Sequence, residues 1–314
     1  MQHEKKEYAL ITAAKNEERF LEDTIKSVIM QSIRPAKWII VDDNSIDRTG
    51  EILNEYAQKY RFIYSLKTIK REERNFAAKA RALKIAINQI EIKNYKFIGV
   101  LDADITFDQE FYANLMQVFM MNPSYGLIGG VVWENFNGKW KYNHSNPDWS
   151  VGGATHFFRS DLFEKVRYYP ELKYGGEDTV VEYMIRDMGY SVKAIKELRV
   201  FHHKPTRPEF GGALKRNYIL GKQEYCWGST LTFEIMKCVV RIKSKPYILG
   251  ACARFGGYLC ACIFLRRVGM VTPEIRKIIR RQQNGRLLSD LFSHFNHGCK
   301  LKSSSFITRN KGRL

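Results

Sequence analysis

The stretch 99–107, GVLDADITF, decides the fold because an apolar run ends there on two acids. Side chains alternate along a strand, so Asp102 and Asp104 are expected to point the same way. Two like charges repel unless they share a partner, and a hard divalent cation removes that repulsion. Helix capping by Asp108 or by Asp104 itself is the alternative, although it accounts for only one of the two acids. Because open α/β sheets bind ligands beyond the carboxyl ends of their strands, the stretch predicts a metal-binding edge.

Short apolar runs alternate with helical periodicity before this stretch. Strands are predicted at Tyr8–Thr12, Lys37–Val41, Phe62–Ser65 and Lys96–Leu101, and helices at Glu18–Gln31, Thr49–Tyr60 and Phe76–Gln89. Strands and helices in this order form right-handed βαβ units on a parallel sheet. Residues 1–105 are therefore predicted to form an open α/β sheet of nucleotide-binding type.

The pattern changes beyond Leu127. Residues 134–150 are polar and aromatic and are predicted to form a long loop, whereas 156–166 (HFFRSDLFEKV) and 177–190 (EDTVVEYMIRDMGY) carry helical periodicity. Residues 192–203 (VKAIKELRVFHH) are predicted to be extended and end on two histidines.

The excess positive charge lies in the last third of the chain. The net charge is +18, and residues 204–314 hold 22 Lys/Arg against 5 Asp/Glu. Such an imbalance indicates an anionic partner, which is a membrane surface, a lipid phosphate or nucleic acid. Pro246–Leu265 is apolar and is interrupted only by Arg254. We expect this segment to lie in a membrane interface rather than to span the bilayer, with a buried helix of a soluble domain as the alternative.

The cysteines and the N-terminus indicate a cellular compartment. Six cysteines occur without a CxxC pair, which is typical of reduced thiols in the cytosol. The first residues, MQHEKKEYALITAAKNEE, contain no long apolar segment, so a secretory signal is not expected. Together with the basic last third, these features predict a cytoplasmic protein that is peripheral on the inner face of the cell membrane.

Four motifs in a fixed order carry a resemblance to a known family. They are TAAKNEE (12–18), VDDNSIDRT (41–49), LDADITF (101–107) and GGED (175–178). Over about residues 7–205 the chain resembles a family 2 glycosyltransferase with the GT-A fold. This implies an α/β fold with a Rossmann-like, mostly parallel sheet and a basic, largely helical C-terminal extension. The implied division is a catalytic domain at 1–205, with nucleotide-binding and acceptor halves meeting near 105, and a membrane-associating region at 206–314.

The resemblance also implies an activity. It is the metal-dependent, inverting transfer of a single sugar from a nucleotide-sugar, with a UDP-sugar favoured, to a lipid-linked or glycan acceptor. The alternatives are a polyprenyl-phosphate sugar synthase and a non-catalytic protein that binds nucleotide-sugars or nucleic acid, although no recognisable RNA motif favours nucleic acid.

The donor site is implied residue by residue. The positions that match donor-binding residues of the family are Ala13, Glu17, Asp43, Arg74, Lys79 and Asp102. Ala13 takes the place of the family's usual proline, and Lys15 stands where an aromatic residue is more typical. Glu17 matches the acid near the ribose, and Asp43 matches the acid that reads the edge of a uracil-like base. Arg74 and Lys79 match cations near the base or the diphosphate.

The metal site is implied by acids and a histidine. Breaking a sugar–nucleotide bond builds charge on a diphosphate, which Mg²⁺ or Mn²⁺ neutralises. Asp104 resembles the metal ligand on the sugar diphosphate, and Asp102 the acid on the ribose and metal side. A histidine after the sheet often completes this site, and the spacing favours His202 over His203.

The acceptor site is implied by the GGED motif and by a tryptophan. An acceptor hydroxyl needs a base on the opposite face of the sugar. Asp178 resembles that base, while Glu177 and Gly176 are expected to bind the acceptor or the donor sugar. A helix N-terminus with favourable acids and no chemistry is the alternative. Trp227, in KQEYCWG, resembles only poorly the acceptor-side tryptophan of processive members, which favours single-sugar transfer.

Overall fold

A computed structural model describes residues 6–68, 76–136, 138–142, 147–166, 169–204, 212–243, 245–265 and 270–287. The strands are β1 (Lys6–Ala14), β2 (Lys37–Asp42), β3 (Ile63–Lys67), β4 (Tyr95–Leu101), β5 (Ile105–Phe107), β6 (Tyr125–Phe136), β7 (Lys139–Tyr142), β8 (Thr155–Arg159) and β9 (Ser191–His202). The helices are α1 (Leu21–Ile29), α2 (Thr49–Lys59), α3 (Phe76–Ile87), α4 (Phe111–Met121), α5 (Ser160–Val166), α6 (Glu177–Asp187), α7 (Ala213–Trp227), α8 (Leu231–Arg241), α9 (Tyr247–Phe264) and α10 (273–287), with a 3₁₀ turn at Ile92–Asn94.

The described strands pair in one sheet of order β3-β2-β1-β4-β8-β6-β9-β5, with β7 beside β6. The four strands β3, β2, β1 and β4 are parallel. Beyond them β8 runs antiparallel to β4 and β6, and β9 runs parallel to β6. The predicted α/β class, with a mostly parallel sheet and a helical C-terminal part, is confirmed.

Both faces of the sheet are buried. Tyr8 and Leu10 of β1 pack in one apolar cluster, whereas their neighbours Ala9 and Ile11 pack in the other. Because side chains alternate, a strand covered on both faces has a continuous apolar sequence instead of an alternating one. This is why the parallel strands could be located from short apolar runs.

Two predictions for the middle of the chain are wrong. Residues 134–150 are not one long loop, because β6 extends to Phe136 and pairs with β7, with Trp133 opposite Tyr142. The start of HFFRSDLFEKV is not helical, because 155–159 form β8 between β4 and β6. A short apolar run buried on both sides has no periodicity that separates strand from helix.

The C-terminal helices pack against one another and against α6. Val180 and Tyr183 of α6 share an apolar cluster with Trp227 of α7 and with Ile275 and Ile279 of α10. The predicted division near residue 205 stays a prediction, and helices from both sides of it meet in this cluster. The five cysteines in the described part of the chain are free thiols.

Helices α7 and α9 approach closely at glycines. A Cβ atom at Gly221 would lie 1.9 Å from the carbonyl oxygen of Arg254, and one at Gly257 would lie 1.9 Å from that of Tyr218. Backbone atoms cannot move aside as a flexible side chain can. The two helices therefore depend on having no side chain at these positions.

We predict opposite effects for two adjacent glycines of α9. Gly257→Ala should lower the free energy of unfolding by about 1–3 kcal/mol, because the new methyl group overpacks the α7 contact. Gly256→Ala should raise it by about 0.5–1 kcal/mol, because alanine favours the helix and a Cβ there meets no atom within 4 Å. Chemical denaturation of both variants measures the difference, and equal effects would contradict the packing of α9 on α7.

Candidate active site

The predicted site residues of the first half lie at the carboxyl ends of three neighbouring strands. Asp43 follows β2, Asp102 follows β4, and β1 between them ends just after Ala13. The backbone N–H of Asp43 donates to the carbonyl of Ala14 at 2.8 Å, which fixes the start of its loop. The parallel sheet thus collects these residues at one edge, as the sequence predicted.

Asp43 is held by two side chains. Lys15 Nζ lies 3.0 Å from Asp43 Oδ2, and Thr68 Oγ1 donates to Asp43 Oδ1 at 3.2 Å. The lysine that replaces the expected aromatic residue therefore neutralises this acid. Together the pair presents a hydrogen-bond acceptor beside a hydrogen-bond donor, which is the complement of a base edge that carries both an N–H and a carbonyl group.

Glu17 pairs with a lysine that the sequence did not single out. Lys204 Nζ lies 2.6 Å from Glu17 Oε1, and the backbone N–H of Glu17 donates to Thr49 Oγ1 at 2.8 Å. Glu17 Oε2 is buried without a hydrogen-bond partner among the residues that the structure describes. Burial raises the pKa of Glu17 to about 7 despite the Lys204 bond. The group is an acceptor that a ligand hydroxyl can satisfy.

Lys79 joins the two halves of the site. Its Nζ atom lies 2.5 Å from Asp102 Oδ1, and it is also within electrostatic reach of Glu177 and Asp178. Burial opposes its charge, but these three acids outweigh burial and raise the pKa of Lys79. Lys79 therefore contacts Asp102 of the LDADITF motif and lies within electrostatic reach of the two acids of the GGED motif.

His202 faces the acids predicted to hold a metal ion. Its Nε2 atom lies 3.3 Å from Asp104 Oδ2, and its Nδ1 atom lies 4.0 Å from Glu134 Oε1. Strand pairing explains this, because His202 lies opposite Ile105 of β5 and opposite Glu134 of β6. Burial opposes protonation of the imidazole, yet the hydrogen bond to Asp104 raises the pKa of His202. Glu134 was missed because its segment was predicted to be a loop.

His203 points into a different environment. Its Nε2 atom lies 2.8 Å from Thr106 Oγ1, and its ring contacts the rings of Phe20 and Trp140. Burial lowers its pKa. Of the two histidines, His202 is therefore the one that lies beside Asp104, and its role as a metal ligand stays a prediction.

The residues present fit a divalent cation, although no ligand is included in the structure. Among the described residues, no group of three or more acidic, histidine or cysteine side chains is already arranged around a metal position. Asp104 and His202 nevertheless offer a carboxylate oxygen and an imidazole nitrogen side by side, with Asp102 two residues away. In Asp104 burial opposes ionisation, but the hydrogen bond to His202 together with the charges of His202, Lys204 and Lys79 outweighs it and lowers the carboxyl pKa. This donor set agrees with Mg²⁺ or Mn²⁺.

The GGED turn is supported from α7. Gly176 has a φ of +86°, and a Cβ atom there would lie 2.0 Å from Trp227 Cζ2. Trp227 Nε1 donates to the carbonyl of Gly175 at 3.2 Å, and the indole is 8% exposed. Trp227 thus holds the turn that starts α6. Its predicted contact with an acceptor stays a prediction.

Asp178 lies over a glycine loop. Its Oδ1 atom accepts from the Thr179 N–H at 2.7 Å, and a Cβ atom at Gly153 would lie 2.7 Å from its Oδ2 atom. Glu182, one turn further along α6, accepts from the Val151 N–H at 2.6 Å and so fixes this loop. Only a residue without a side chain therefore fits at position 153 beside Asp178. In the sequence, the Gly152-Gly153 pair was the signal that could have indicated this close approach.

A buried histidine completes the surroundings of the GGED acids. His156 Nδ1 lies 2.8 Å from the Tyr169 hydroxyl, and burial lowers the pKa of His156 to about 4. Burial, and then the charge of Asp178, raise the pKa of Glu177 to about 7. Sequence periodicity placed 156 on a helix, so its position behind the site was missed. Arg74 lies outside the described residues.

The family model of glycosyl transferase family 2 matches residues 9–198. Among curated proteins, poly-beta-1,6-N-acetyl-D-glucosamine synthase of Staphylococcus epidermidis is 29% identical over 122 residues, which are 39% of this chain and 27% of the relative. The synthase of Staphylococcus aureus strain COL is 28% identical over 120 residues, which are 38% of this chain and 27% of that relative. The chain thus matches about a quarter of these relatives' length.

Solved glycosyltransferases share the fold. The mannosyltransferase PcManGT of Pyrobaculum calidifontis, in complex with GDP-Man and Mn²⁺, has a TM-score of 0.54 at 16% identity, covering 91% of this chain and 81% of that one. Staphylococcus aureus TarS 1–349, in complex with UDP-GlcNAc, has a TM-score of 0.50 at 16% identity, covering 87% and 78%. At this identity the likeness confirms the predicted GT-A fold and does not identify a substrate.

We predict that Glu177 makes stability depend on pH. Its pKa in the folded state, about 7, lies above the ordinary value of 4.5, so the folded state binds more protons between these values. The free energy of unfolding should therefore fall as the pH rises from 5 to about 8, and Glu177→Gln should reduce that fall. Melting temperatures of the unaltered protein and of Glu177→Gln between pH 5 and pH 8 measure this pH dependence. The matched control is Glu55→Gln, which removes an exposed carboxylate of α2. An unchanged slope in Glu177→Gln would contradict the prediction.

Proposed function

Because the chain belongs to glycosyl transferase family 2, we propose that it transfers a single sugar from a nucleotide-sugar to a lipid-linked or glycan acceptor. The observation that carries the proposal is the 2.5 Å contact of Lys79 with Asp102, beside Glu177 and Asp178, whose charges also raise the pKa of Lys79. This cluster joins the nucleotide edge of the sheet to the acids at the start of α6, which is the arrangement that a donor and an acceptor both need.

The nucleotide is proposed to bind along the ends of β1, β2 and β4. Asp43 and Lys15 offer an acceptor and a donor to the base, and the unpartnered oxygen of Glu17 accepts from the ribose. Ala13, at the end of β1, lets the base approach the backbone. A UDP-sugar is favoured for two reasons: uracil carries an N–H between two carbonyls, and the TarS structure contains UDP-GlcNAc. Arg74 is proposed to act near the base or the diphosphate.

The diphosphate is proposed to lie between Lys79 and the Asp104–His202 pair. A Mg²⁺ or Mn²⁺ ion held by Asp104, Asp102 and His202 would supply positive charge to this leaving group. Lys79 contributes a second positive charge from α3, and its pairing with Asp102 keeps the ammonium group in place. Support for a metal comes from the donor set and from the Mn²⁺ in the related fold.

The transfer step is proposed to use Asp178 as the general base. The acceptor hydroxyl loses its proton to the Asp178 carboxylate while its oxygen bonds to the anomeric carbon. The bond from that carbon to the diphosphate oxygen breaks, and the electron pair leaves with the nucleoside diphosphate. Attack from the side opposite the leaving group inverts the anomeric carbon. Glu177 and Gly176 border the sugar, and Trp227 supports them from below.

The acceptor is proposed to reach the site at a membrane surface. The charge imbalance of residues 204–314 supports a peripheral position on the inner face of the cell membrane. One helix in the described residues, Tyr247–Phe264, is long and apolar enough to cross a membrane. A polyprenyl-phosphate acceptor remains the second candidate because the same basic region also suits a lipid phosphate.

We predict that Asp178→Asn lowers kcat by about 10²–10⁴-fold and leaves donor affinity unchanged, because an amide cannot accept the acceptor proton. Turnover is measured as the release of nucleoside diphosphate from UDP-GlcNAc, UDP-glucose and GDP-mannose. Each donor is tested with a panel of glycan and polyprenyl-linked acceptors. UDP binding measures affinity. Asp161→Asn, an exposed aspartate of α5, is the matched control. Full activity of Asp178→Asn on a phosphate acceptor would contradict the base and favour the polyprenyl-phosphate alternative.

We predict that the two adjacent histidines differ in metal dependence. His202→Ala and Asp104→Asn should weaken Mn²⁺-dependent UDP binding by about 10–100-fold, because each removes a ligand. His203→Ala should retain the dependence, because its ring contacts Thr106 instead of the acids. Titration calorimetry with UDP, with and without Mn²⁺, measures this. Equal losses in both histidine variants would contradict the proposed ligand set.

A further inference from the structure

The outward faces of α8 and α9 carry large apolar side chains that nothing covers in the described chain. On α8 they are Ile235, Met236, Val239 and Val240, and on α9 they are Ile248, Leu249, Ile263 and Phe264. We call these eight residues the α8–α9 surface. The side chains of Val240, Ile263 and Phe264 are 70%, 71% and 77% exposed. Exposure of several large apolar side chains on two neighbouring helices is typical of an interaction site.

The opposite faces of the same helices are buried. In α8 the side chains of Phe233, Glu234 and Cys238 turn inward, and in α9 those of Arg254 and Tyr258 do so. Each helix therefore packs one face against the rest of the described chain and exposes the other face. Apolar residues spaced three and four apart produce such a stripe on a helix.

Buried charges hold α9 in the protein. The Arg254 side chain is 2% exposed, and its guanidinium lies 2.9 Å from Glu224 and 2.9 Å from Glu234. Lys237 also pairs with Glu224. Moving α9 into a bilayer as a separate span would separate Glu224 and Glu234 from Arg254, which is costly. Only the outward face of α9 is available to a lipid phase.

The charges around the α8–α9 surface are of one sign. Residues 228–265 contain a single acid, Glu234, and its side chain is completely buried. Arg241, Lys243 and Lys245, at the turn between the two helices, are exposed. A second copy of this surface would bring cations against cations. An anionic bilayer offers phosphates to the cations and acyl chains to the apolar side chains.

We infer that the α8–α9 surface docks the protein on a bilayer that contains anionic lipids, with the two helices lying in the interface. The inference deepens the proposed function and rests on it only for the identity of the acceptor. Docking here has a direct consequence for the site, because α7 and α8 are separated only by residues 228–230 and Trp227 ends α7 against the GGED turn. The surface therefore fixes the acceptor side of the site relative to the membrane.

The first experiment measures binding to vesicles of phosphatidylcholine with and without phosphatidylglycerol. The unaltered protein should float with the anionic vesicles. The triple variant Val240→Ser, Ile263→Ser, Phe264→Ser should bind them at least tenfold more weakly, because three apolar side chains no longer enter the acyl region. The control Met120→Ser, Met121→Ser removes two side chains of α4 that are 72% and 70% exposed, and it should bind like the unaltered protein.

The second variant tests the charges. The double variant Lys243→Gln, Lys245→Gln should bind anionic vesicles about fivefold more weakly for each lysine that is removed. This loss should be confined to anionic vesicles and to low salt. Equal binding of the triple variant and the unaltered protein would overturn the inference. So would dimerisation of the unaltered protein that the triple variant abolishes. UDP binding checks that each variant is folded. Docking without sugar transfer would overturn the proposed transferase activity and leave this inference standing. Sugar transfer without docking would overturn this inference and the proposed membrane position, and it would leave the transferase activity standing.

Discussion

Crowding of carboxylates at one edge of the sheet is the constraint on which the site depends. The ends of β1, β2 and β4 and the start of α6 bring together acids that repel one another in a partly buried space. Each acid of the first half has a cationic or imidazole partner from elsewhere in the chain. Lys15 pairs with Asp43, Lys204 with Glu17, Lys79 with Asp102 and His202 with Asp104. The fold can therefore gather negative charge before any ligand binds.

The second half of the site depends on backbone space instead of charge. Gly176 leaves room for Trp227, and Gly153 leaves room for the Asp178 carboxylate. Neither role involves a hydrogen bond from the glycine itself. A methyl group at position 176 would collide with the Trp227 indole, and one at position 153 would collide with the Asp178 carboxylate. The C-terminal helices therefore contribute to the wall of the candidate site, since Trp227 belongs to α7.

The sequence predicted the parts of the structure that are local. The parallel strands were found because each is a short apolar run, and their order placed Asp102 and Asp43 at one edge. β8 was missed because this short strand is buried on both faces and so has no alternating pattern. The β6–β7 hairpin was missed because its outer residues are polar. Partners distant in sequence could not be predicted: Lys204 reaches Glu17 across 187 positions, and Glu134 meets His202 only through the register of β6 and β9.

Arg254 shows how much of a residue's role the sequence leaves open. A charge near the centre of an apolar segment argues against a spanning helix, and this argument needs no structure. It does not reveal which side of the helix the charge faces. The structure places Arg254 against Glu224 and Glu234, on the side that packs on α7 and α8. Because the buried charge occupies one face of α9, the apolar side chains of the other face point outward. The ion pairs that make a separate span costly therefore also leave the α8–α9 surface exposed.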